Sequence, residues 1–342
     1  MTRAFRCSSS TTGKSEPAAI VRPGGQWKMA NGRPPDDKDR KTRRETPAMS
    51  ATKAAFVLIH GGWHSQSVWS KVTPILEAHG FMALTLDLPG AGANAVAPKS
   101  LGLRPFDAAA FATEPSPVAG VTQEERTQAV VTLVRQAAAL GNGKVVLVGH
   151  SAGGMTISAV AEEIPNLLLA VVYLAGFMVP NGVPLLAMLR HETMSSALSP
   201  GLFVGDPVAI GATRINAGST DGAYRALLKA SFYADISDAE FAQAASRLHC
   251  DEPNGGALAP SPITAGRFGS VPRHYIRCTQ DCAIPLAGQD HMIAAVDRTI
   301  GGMTTPHTLH SSHSPFLSQP VALADILIDI HARSPAFGGE VE

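Results

Sequence analysis

The 342-residue chain has few of the features that mark zinc, membrane or nucleic-acid-binding proteins. Its four cysteines show no C-x-x-C spacing with paired histidines, which argues against a zinc site. The longest apolar runs, such as residues 167–174, are far too short to cross a bilayer. Lys plus Arg and Asp plus Glu both number 28, so the net charge is zero and suggests no nucleic-acid partner. We therefore expect no metal, no cofactor, no membrane contact, reduced thiols and a cytoplasmic setting.

Apolar residues are plentiful, at 45% against 16% charged, and suffice for one large core. The first fifty residues differ, with 11 Lys/Arg against 5 Asp/Glu, so the remaining residues hold 17 and 23 and carry the opposite sign. This segment is rich in Ser, Pro and Gly and lacks apolar periodicity, and no apolar stretch of signal-peptide length follows its arginines. We expect residues 1–50 to be a disordered basic tail. Met49 is an alternative start, in which case the residues before it would be a misassigned extension.

The most informative motif is GHSAG at residues 149–153, which follows the apolar run 145–148 and precedes the helix-like stretch 155–164. Strand, G-x-S-x-G and helix in that order are typical of a nucleophile elbow. The glycines are needed because the backbone folds back tightly around the serine. The following helix would aim its N-terminus at the reacting carbonyl. We predict Ser151 as a nucleophile; the alternative is a Gly/Ser-rich turn between a strand and a helix.

In chains with such an elbow, the catalytic acid follows the serine along the sequence and the catalytic histidine comes last. His313 lies on the loop between a last strand at 303–309 and a last helix at 321–331, where the base is expected. His310 remains an alternative, although we expect it to belong to the strand end. The other histidines near periodic segments are expected to be packed or exposed: His249, His274, His291 and His307.

The acid is expected just past an earlier strand of the same sheet. Asp281 has this position, directly after the strand-like residues 274–279. Another common place, after the strand 168–174, holds Ala-Gly-Phe and offers no carboxylate. Other carboxylates lie in the middle region, in a Gly/Pro-rich stretch or inside a helical pattern: Asp221, Asp235, Asp238, Asp251 and Asp290. Asp281 is therefore the predicted acid.

An oxyanion hole is predicted where the apolar strand 56–59 runs into His-Gly-Gly-Trp at residues 60–63. Such a turn leaves a backbone N–H unpaired and pointing inward. We expect the hole to combine the N–H groups of Gly62 and Ala152, the residue after the nucleophile. His60 resembles a catalytic residue, but in this position we expect it to brace the turn by hydrogen bonding.

Alternating strand and helix patterns predict an α/β fold with a doubly wound, mostly parallel sheet. Strands are expected at 54–60, 81–87, 144–149, 168–174, 271–279 and 303–309, and helices near 67–79, 121–140, 152–164, 285–298 and 319–332. Residues 177–266 are too long for a connection and are predicted to form a helical cap over Ser151. The core would then comprise residues 51–176 and 267–334. A Pro/Ala-rich segment at 91–120 also interrupts the pattern.

From about residue 54 to 332 the chain resembles an α/β-hydrolase, and within that superfamily the plant methylesterase and hydroxynitrile lyase group with its bacterial esterase relatives. The stretches that carry the resemblance are 57–63 (VLIHGGW), 84–90 (LTLDLPG), 146–155 (VLVGHSAGGM) and 267–281 (RFGSVPRHYIRCTQD). The resemblance implies Ser151, Asp281 and His313 as the triad, and Gly62 and Ala152 as the oxyanion hole. These are the same residues that chain order predicts.

The resemblance also separates two reactions. Hydroxynitrile lyases of this group have a lysine after the catalytic histidine and a threonine after the first strand's histidine, where this chain has Ser314 and Gly61. Ester hydrolysis is therefore favoured over cyanohydrin cleavage, and Ser151 excludes the acid-nucleophile enzymes of the superfamily. A cofactor-free lyase or oxygenase and a non-catalytic small-molecule receptor stay as alternatives.

The apolar residues of the predicted cap indicate the substrate. No cluster of Arg or Lys marks a carboxylate or phosphate clamp, so we expect an uncharged, largely apolar carboxylic ester of small to medium size. The predicted substrate-binding residues are Trp63, Phe177, Phe232 and Ser314. Beyond this small-molecule substrate, the only partner expected is a second copy of the chain, in a homodimer.

Overall fold

A computed structural model describes residues 53–334. The predicted basic tail at residues 1–50 lies outside the described residues and stays a prediction. Within residues 53–334, no helix combines the length and apolarity needed to span a bilayer.

The described chain alternates strands and helices along most of its length. Its strands are β1 (Ala55–Ile59), β2 (Ala83–Thr85), β3 (Val145–His150), β4 (Leu168–Leu174), β5 (Ala212–Arg214), β6 (Asp251–Pro253), β7 (Arg273–Cys278) and β8 (Thr305–Leu309). Its α-helices are α1 (Thr73–Ala78), α2 (Ala108–Thr113), α3 (Gln123–Leu140), α4 (Gly153–Glu163), α5 (Leu185–Leu189), α6 (Pro207–Ile210), α7 (Gly222–Phe232), α8 (Asp238–Ala245), α9 (Gly255–Leu258), α10 (Leu286–Ile300), α11 (Pro315–Ser318) and α12 (Pro320–Arg333). Short 3-10 helices occupy Gln66–Lys71, Gly92–Asn94, Lys99–Gly102, Pro165–Leu167, Glu192–Met194, Ser199–Leu202 and Phe268–Ser270.

Six of the described strands form one parallel sheet in the order β2-β1-β3-β4-β7-β8. This is the predicted doubly wound architecture, and the predicted strands match the observed ones to within a few residues. Successive side chains point to opposite faces of a strand, so the continuous apolar runs place hydrophobic groups on both faces. Val57 and Leu147 pack with α3 and α4 on one face, and Phe56 and Val146 pack with α1 and α12 on the other. The carboxyl ends of the parallel strands therefore meet at one edge, where ligands bind in such sheets.

The predicted cap, residues 177–266, contains short helices and also an antiparallel strand pair. The sequence predicted only helices in this segment, and the strand pair was not predicted because β5 and β6 meet through residues about 40 positions apart in sequence, Arg214 opposite Asp251 among them. That the segment is a cap stays a prediction. Asp251 accepts two hydrogen bonds from Arg214 across this pair, at 2.6 and 2.7 Å, and both side chains are fully buried. In the sequence Asp251 is only part of a Gly/Pro-rich stretch, and no local pattern there indicates a buried ion pair.

Candidate active site

Ser151 lies at a strained turn between β3 and α4. Its φ of 52° is in the left-handed region, which a residue with a side chain seldom adopts, at a cost of about 1–3 kcal/mol. The turn is closed by backbone hydrogen bonds: the Ser151 N–H donates to Leu174 O at 3.2 Å, and Ser151 O accepts from Phe177 N at 2.9 Å. A Cβ atom on Gly153 would lie 2.6 Å from His60 O, so the motif needs glycine there. This geometry is that of the predicted nucleophile elbow.

Asp281 and His313 form a buried hydrogen-bonded pair, and each lies shortly after one of the two last strands of the sheet. His313 Nδ1 lies 2.7 Å from Asp281 Oδ2, and both side chains are almost completely enclosed. The other carboxylate oxygen of Asp281 accepts the backbone N–H groups of Ala283 and Ile284 at 2.7 and 2.9 Å. Because Nδ1 donates to the carboxylate, Nε2 carries the lone pair and can take a proton from a hydroxyl group.

His313 is brought next to the elbow through His150. The His150 Nε2–H donates to His313 O at 2.9 Å, and the two rings lie 4.5 Å apart between centroids. Within residues 53–334 the Ser151 hydroxyl makes no hydrogen bond, as in many unliganded enzymes whose catalytic contacts tighten with substrate. The alternative base, His310, is exposed and bonds to Thr279 Oγ1 at 3.0 Å, away from Asp281.

Gly62 and Ala152 lie side by side at the predicted oxyanion hole. A Cβ atom on Gly62 would be 3.8 Å from the Cβ of Ala152, and Ala152 is the N-cap residue directly before α4. Among the described residues, neither backbone N–H donates a hydrogen bond. Both are therefore free for an oxyanion, and the positive end of the helix adds to their effect.

Gly61 faces the nucleophile directly. A Cβ atom at this position would lie 2.7 Å from the Cβ of Ser151 and 2.8 Å from His150 Nδ1. The threonine that hydroxynitrile lyases have here would not fit without displacing Ser151.

Two neutral histidines hold the turn that contains Gly62. His60 donates through Nδ1 to Gly61 O at 2.8 Å and accepts the Leu88 N–H through Nε2 at 3.1 Å, which confirms its predicted bracing role. His64, which the sequence analysis missed, donates to Gly62 O at 2.6 Å and accepts from the Tyr233 hydroxyl at 2.8 Å. Burial lowers the pKa of His60 to about 4 and that of His64 to about 3, so both stay uncharged at neutral pH.

A cavity of about 320 Å³ opens onto Ser151, Gly62 and Ala152. Trp63, Phe177 and Phe232 line it, as predicted, and the aliphatic part of its wall includes Met155, Leu185, Leu186, Leu189 and Ile284. The prediction for Ser314 is wrong: this residue is fully buried and does not line the cavity. It is the residue that precedes α11. In residues 53–334, no group of His, Cys, Asp or Glu is arranged to hold a metal ion.

A larger cavity of about 740 Å³ lies elsewhere in the described chain. Its walls come from the Pro/Ala-rich insertion and from the predicted cap, including Phe106, Asp221 and His249. None of Ser151, Asp281 and His313 lines it, so size does not identify the site and we assign the site by its chemistry.

Arg126 and Glu252 are charged residues in the wall of the Ser151 cavity that the sequence analysis did not single out. Arg126 Nη1 donates to Glu252 Oε1, and its Nε donates to Pro89 O at 3.0 Å. Burial alone would raise the pKa of Glu252, but the charge and hydrogen bond of Arg126 together with those of His249 outweigh it and hold the pKa well below its usual range. The carboxylate also accepts the Trp63 N–H at 3.3 Å, which joins the pair to the oxyanion turn.

Asp235, which lies between α7 and α8, fastens the loop that carries His313. Its carboxylate accepts the Ser312 N–H at 2.9 Å and, through its other oxygen, the Ser312 hydroxyl. The residue before His313 is thus tied to the predicted cap. This contact joins positions 77 apart in sequence, and no local signal pointed to it.

The chain matches the model of a family described as "Alpha/beta hydrolase family" over residues 56–326. It is 29% identical to salicylic acid-binding protein 2 of Nicotiana tabacum, over 80% of this chain and 96% of that one. It is 25% identical to a pyrethroid hydrolase of Sphingobium wenxiniae, over 83% and 90% of the two chains. Three relatives from Arabidopsis thaliana, named as chloroplastic methylesterases, are longer: the chain spans 65%, 55% and 60% of their lengths.

Solved structures show the same fold. A pyrethroid hydrolase from Sphingobium faniae matches with a TM-score of 0.64 at 22% identity, over 82% of this chain and 98% of that one. Polyneuridine aldehyde esterase matches with a TM-score of 0.62 at 22% identity, over 82% and 99%.

Proposed function

The chain belongs to the alpha/beta hydrolase family, and from the geometry of its site we propose that it is a serine esterase acting on small to medium, uncharged, largely apolar carboxylic esters. One observation carries the proposal. The Asp281–His313 pair, 2.7 Å between its nearest atoms, stands behind a serine elbow that opens on an apolar cavity. The names of the relatives, which include esterases, methylesterases and a pyrethroid hydrolase, agree with ester hydrolysis.

In the first half of the reaction, the Ser151 oxygen attacks the ester carbonyl while His313 Nε2 accepts its proton. The negative charge moves to the carbonyl oxygen, where the N–H groups of Gly62 and Ala152 stabilise it. Asp281 keeps the imidazole in the right tautomer and stabilises its positive charge. When the C–O bond breaks, the imidazolium returns its proton to the leaving alcohol, and an acyl-enzyme remains on Ser151.

In the second half, water attacks the acyl-enzyme. His313 accepts a proton from the water, and the same two N–H groups stabilise the second oxyanion. Collapse of this intermediate transfers the proton to Ser151 and releases the carboxylic acid. The strained backbone at Ser151 holds its side-chain oxygen, free or acylated, beside the oxyanion hole in both halves.

The walls of the cavity support an apolar substrate. Trp63, Phe177 and Phe232 supply aromatic surface, and the volume of about 320 Å³ is at the small end of ligand sites. The lyase alternative is not favoured, because Gly61 has no room for a threonine side chain and Ser314 is enclosed away from the cavity. A receptor without activity is not favoured either, since it would not need the strained serine.

A cytoplasmic location is also part of the proposal. The three cysteines in the described residues, Cys250, Cys278 and Cys282, are free thiols, which suits a reducing compartment. Cell fractionation with an antibody against the chain would test the location. The homodimer stays a prediction, to be tested by light scattering of the purified protein.

The proposal is tested by turnover of p-nitrophenyl butyrate, a small apolar ester that releases a coloured product. We expect the purified chain to hydrolyse it, and Ser151→Ala or His313→Ala to lower kcat by roughly 10⁵–10⁶. The melting temperature of each variant checks that the fold is intact. Near-normal turnover by either folded variant would contradict the proposal.

A further inference from the structure

Arg126 lies in the wall of the Ser151 cavity, and within residues 53–334 one nitrogen of its guanidinium group has no hydrogen-bond partner. Its side chain is buried, with 6% of the residue exposed. Nε donates to Pro89 O and Nη1 to Glu252, but among the described residues buried Nη2 has no acceptor. Buried donors are nearly always paired, and an unpaired N–H of a charged group is especially costly. An unpaired donor in a cavity wall therefore indicates an acceptor on the ligand.

The combined charge of Arg126 and Glu252 restricts the chemical nature of this acceptor. Glu252 is ionised, because the adjacent positive charge of Arg126 holds its pKa far down. The two residues together are neutral, so a substrate carboxylate would gain the attraction of Arg126 and meet the repulsion of Glu252. An uncharged oxygen, such as an ether, ketone or second ester carbonyl, accepts the N–H without that repulsion.

The pair is also close to the reacting centre. A Cβ atom on Gly62 would lie 3.4 Å from Glu252 Cγ, and Glu252 accepts the Trp63 N–H. Arg126 is held against Glu252, so the pair lies in the part of the cavity wall next to the oxyanion hole. A bound acceptor oxygen would then lie near the scissile ester group rather than at the far end of the substrate.

We propose that Arg126 is a specificity-determining residue that donates a hydrogen bond through Nη2 to a second, uncharged oxygen of the ester. The substrate class becomes apolar esters with an additional ether or carbonyl oxygen close to the scissile group. This inference rests on the proposed function and deepens it: Ser151 and His313 perform the chemistry, and Arg126 selects among esters of similar size.

Matched esters in which one ether oxygen is replaced by a methylene group test the proposal. For the acyl side the pair is methyl phenoxyacetate and methyl 3-phenylpropanoate; for the alcohol side it is 2-phenoxyethyl acetate and 3-phenylpropyl acetate. The measured quantity is the ratio of kcat/KM for the oxygen ester to that for its methylene partner. Comparing this ratio between variants cancels the intrinsic reactivity of each ester.

The test variant is the double change Arg126→Met with Glu252→Gln. Changing Arg126 alone would leave a buried, unpaired carboxylate and could unfold the chain. Glutamine at 252 can still accept the Trp63 N–H, so the oxyanion turn keeps its anchor. The control is Arg135→Met, the same chemical change at an exposed position of the same helix α3.

We expect the double variant to lower the ratio roughly tenfold to a hundredfold for at least one ester pair, the usual effect of losing a hydrogen bond to a charged donor. The control should keep both the wild-type ratio and the wild-type kcat/KM of the methylene esters. Ratios within twofold of the wild type for both pairs, with all esters hydrolysed, would overturn the inference and leave the proposed function standing.

If no ester is hydrolysed faster than by Ser151→Ala, the proposed function fails, and the inference is then decided by binding. Calorimetry would measure the affinity for two pairs of amides. The first pair is phenoxyacetamide and 3-phenylpropanamide, and the second is N-(2-phenoxyethyl)acetamide and N-(3-phenylpropyl)acetamide. At least tenfold tighter binding of an oxygen-containing ligand by the wild type, lost in the double variant, would support the role of Arg126. Equal affinities would refute it.

Discussion

Replacing Asp281 by Asn tests the histidine's orientation, because the structure indicates what each atom of the new side chain would do. Asp281 uses Oδ1 to accept two backbone N–H groups and Oδ2 to accept His313 Nδ1–H. In the variant the amide oxygen keeps the two backbone bonds, so the amide nitrogen faces His313. That nitrogen donates, and the imidazole must turn its lone pair towards it. Nε2 then carries the proton and cannot accept one from Ser151.

The expected loss in kcat is therefore large, up to roughly 10⁴, which corresponds to about 5.5 kcal/mol of transition-state stabilisation. The fold should persist, because the side-chain shape and the backbone bonds of the loop are retained. The assay is turnover of p-nitrophenyl butyrate, with thermal melting measured in parallel.

The matched control is Asp290→Asn, since Asp290 is a half-exposed partner of Arg277 on α10 at 3.0 Å. It should change kcat less than twofold. The reasoning would be refuted if folded Asp281→Asn retained a kcat within tenfold of the wild type, or if both variants lost activity equally.

Three further outcomes follow from the structure. Asp251→Asn leaves the buried charge of Arg214 unbalanced and should lower the free energy of unfolding by about 3–5 kcal/mol in urea titrations; an unchanged midpoint would contradict the buried pair. Asp235→Asn weakens the hydrogen bonds that hold Ser312, the residue before His313, and should lower kcat by roughly tenfold with little change in KM. A change in KM alone would contradict a role of Asp235 in positioning His313. Deletion of residues 1–48 should leave turnover and melting temperature unchanged, and a loss of several degrees would reveal docking of the tail.

The sheet and the chemistry-bearing residues were predictable because their signals are local. The central parallel strands are buried on both faces and form continuous apolar runs, as at Val145–His150 and Leu168–Leu174. Ser151 directly follows the first of these, Asp281 and His313 lie within a few residues of the ends of β7 and β8, and parallel strands bring their carboxyl ends to one edge. Order along the chain was therefore enough to predict their proximity.

What could not be predicted depends on pairs distant in sequence. Arg126 meets Glu252 across 126 residues, and the Tyr233 hydroxyl meets His64 across 169. Neither contact has a periodicity or motif that marks it. Ser314 was placed at the substrate by its position after the predicted base, but the start of α11 turns its side chain into the interior.

The most direct test of the central claim, that Ser151 attacks the ester through an acyl-enzyme, is mass spectrometry of the enzyme quenched during turnover of p-nitrophenyl acetate. We expect an acetyl group on the peptide that contains Ser151, formed with a burst of about one nitrophenol per chain and absent in Ser151→Ala. Hydrolysis that continues with Ser151 unmodified, or an acetyl group on another residue in the cavity, would contradict it.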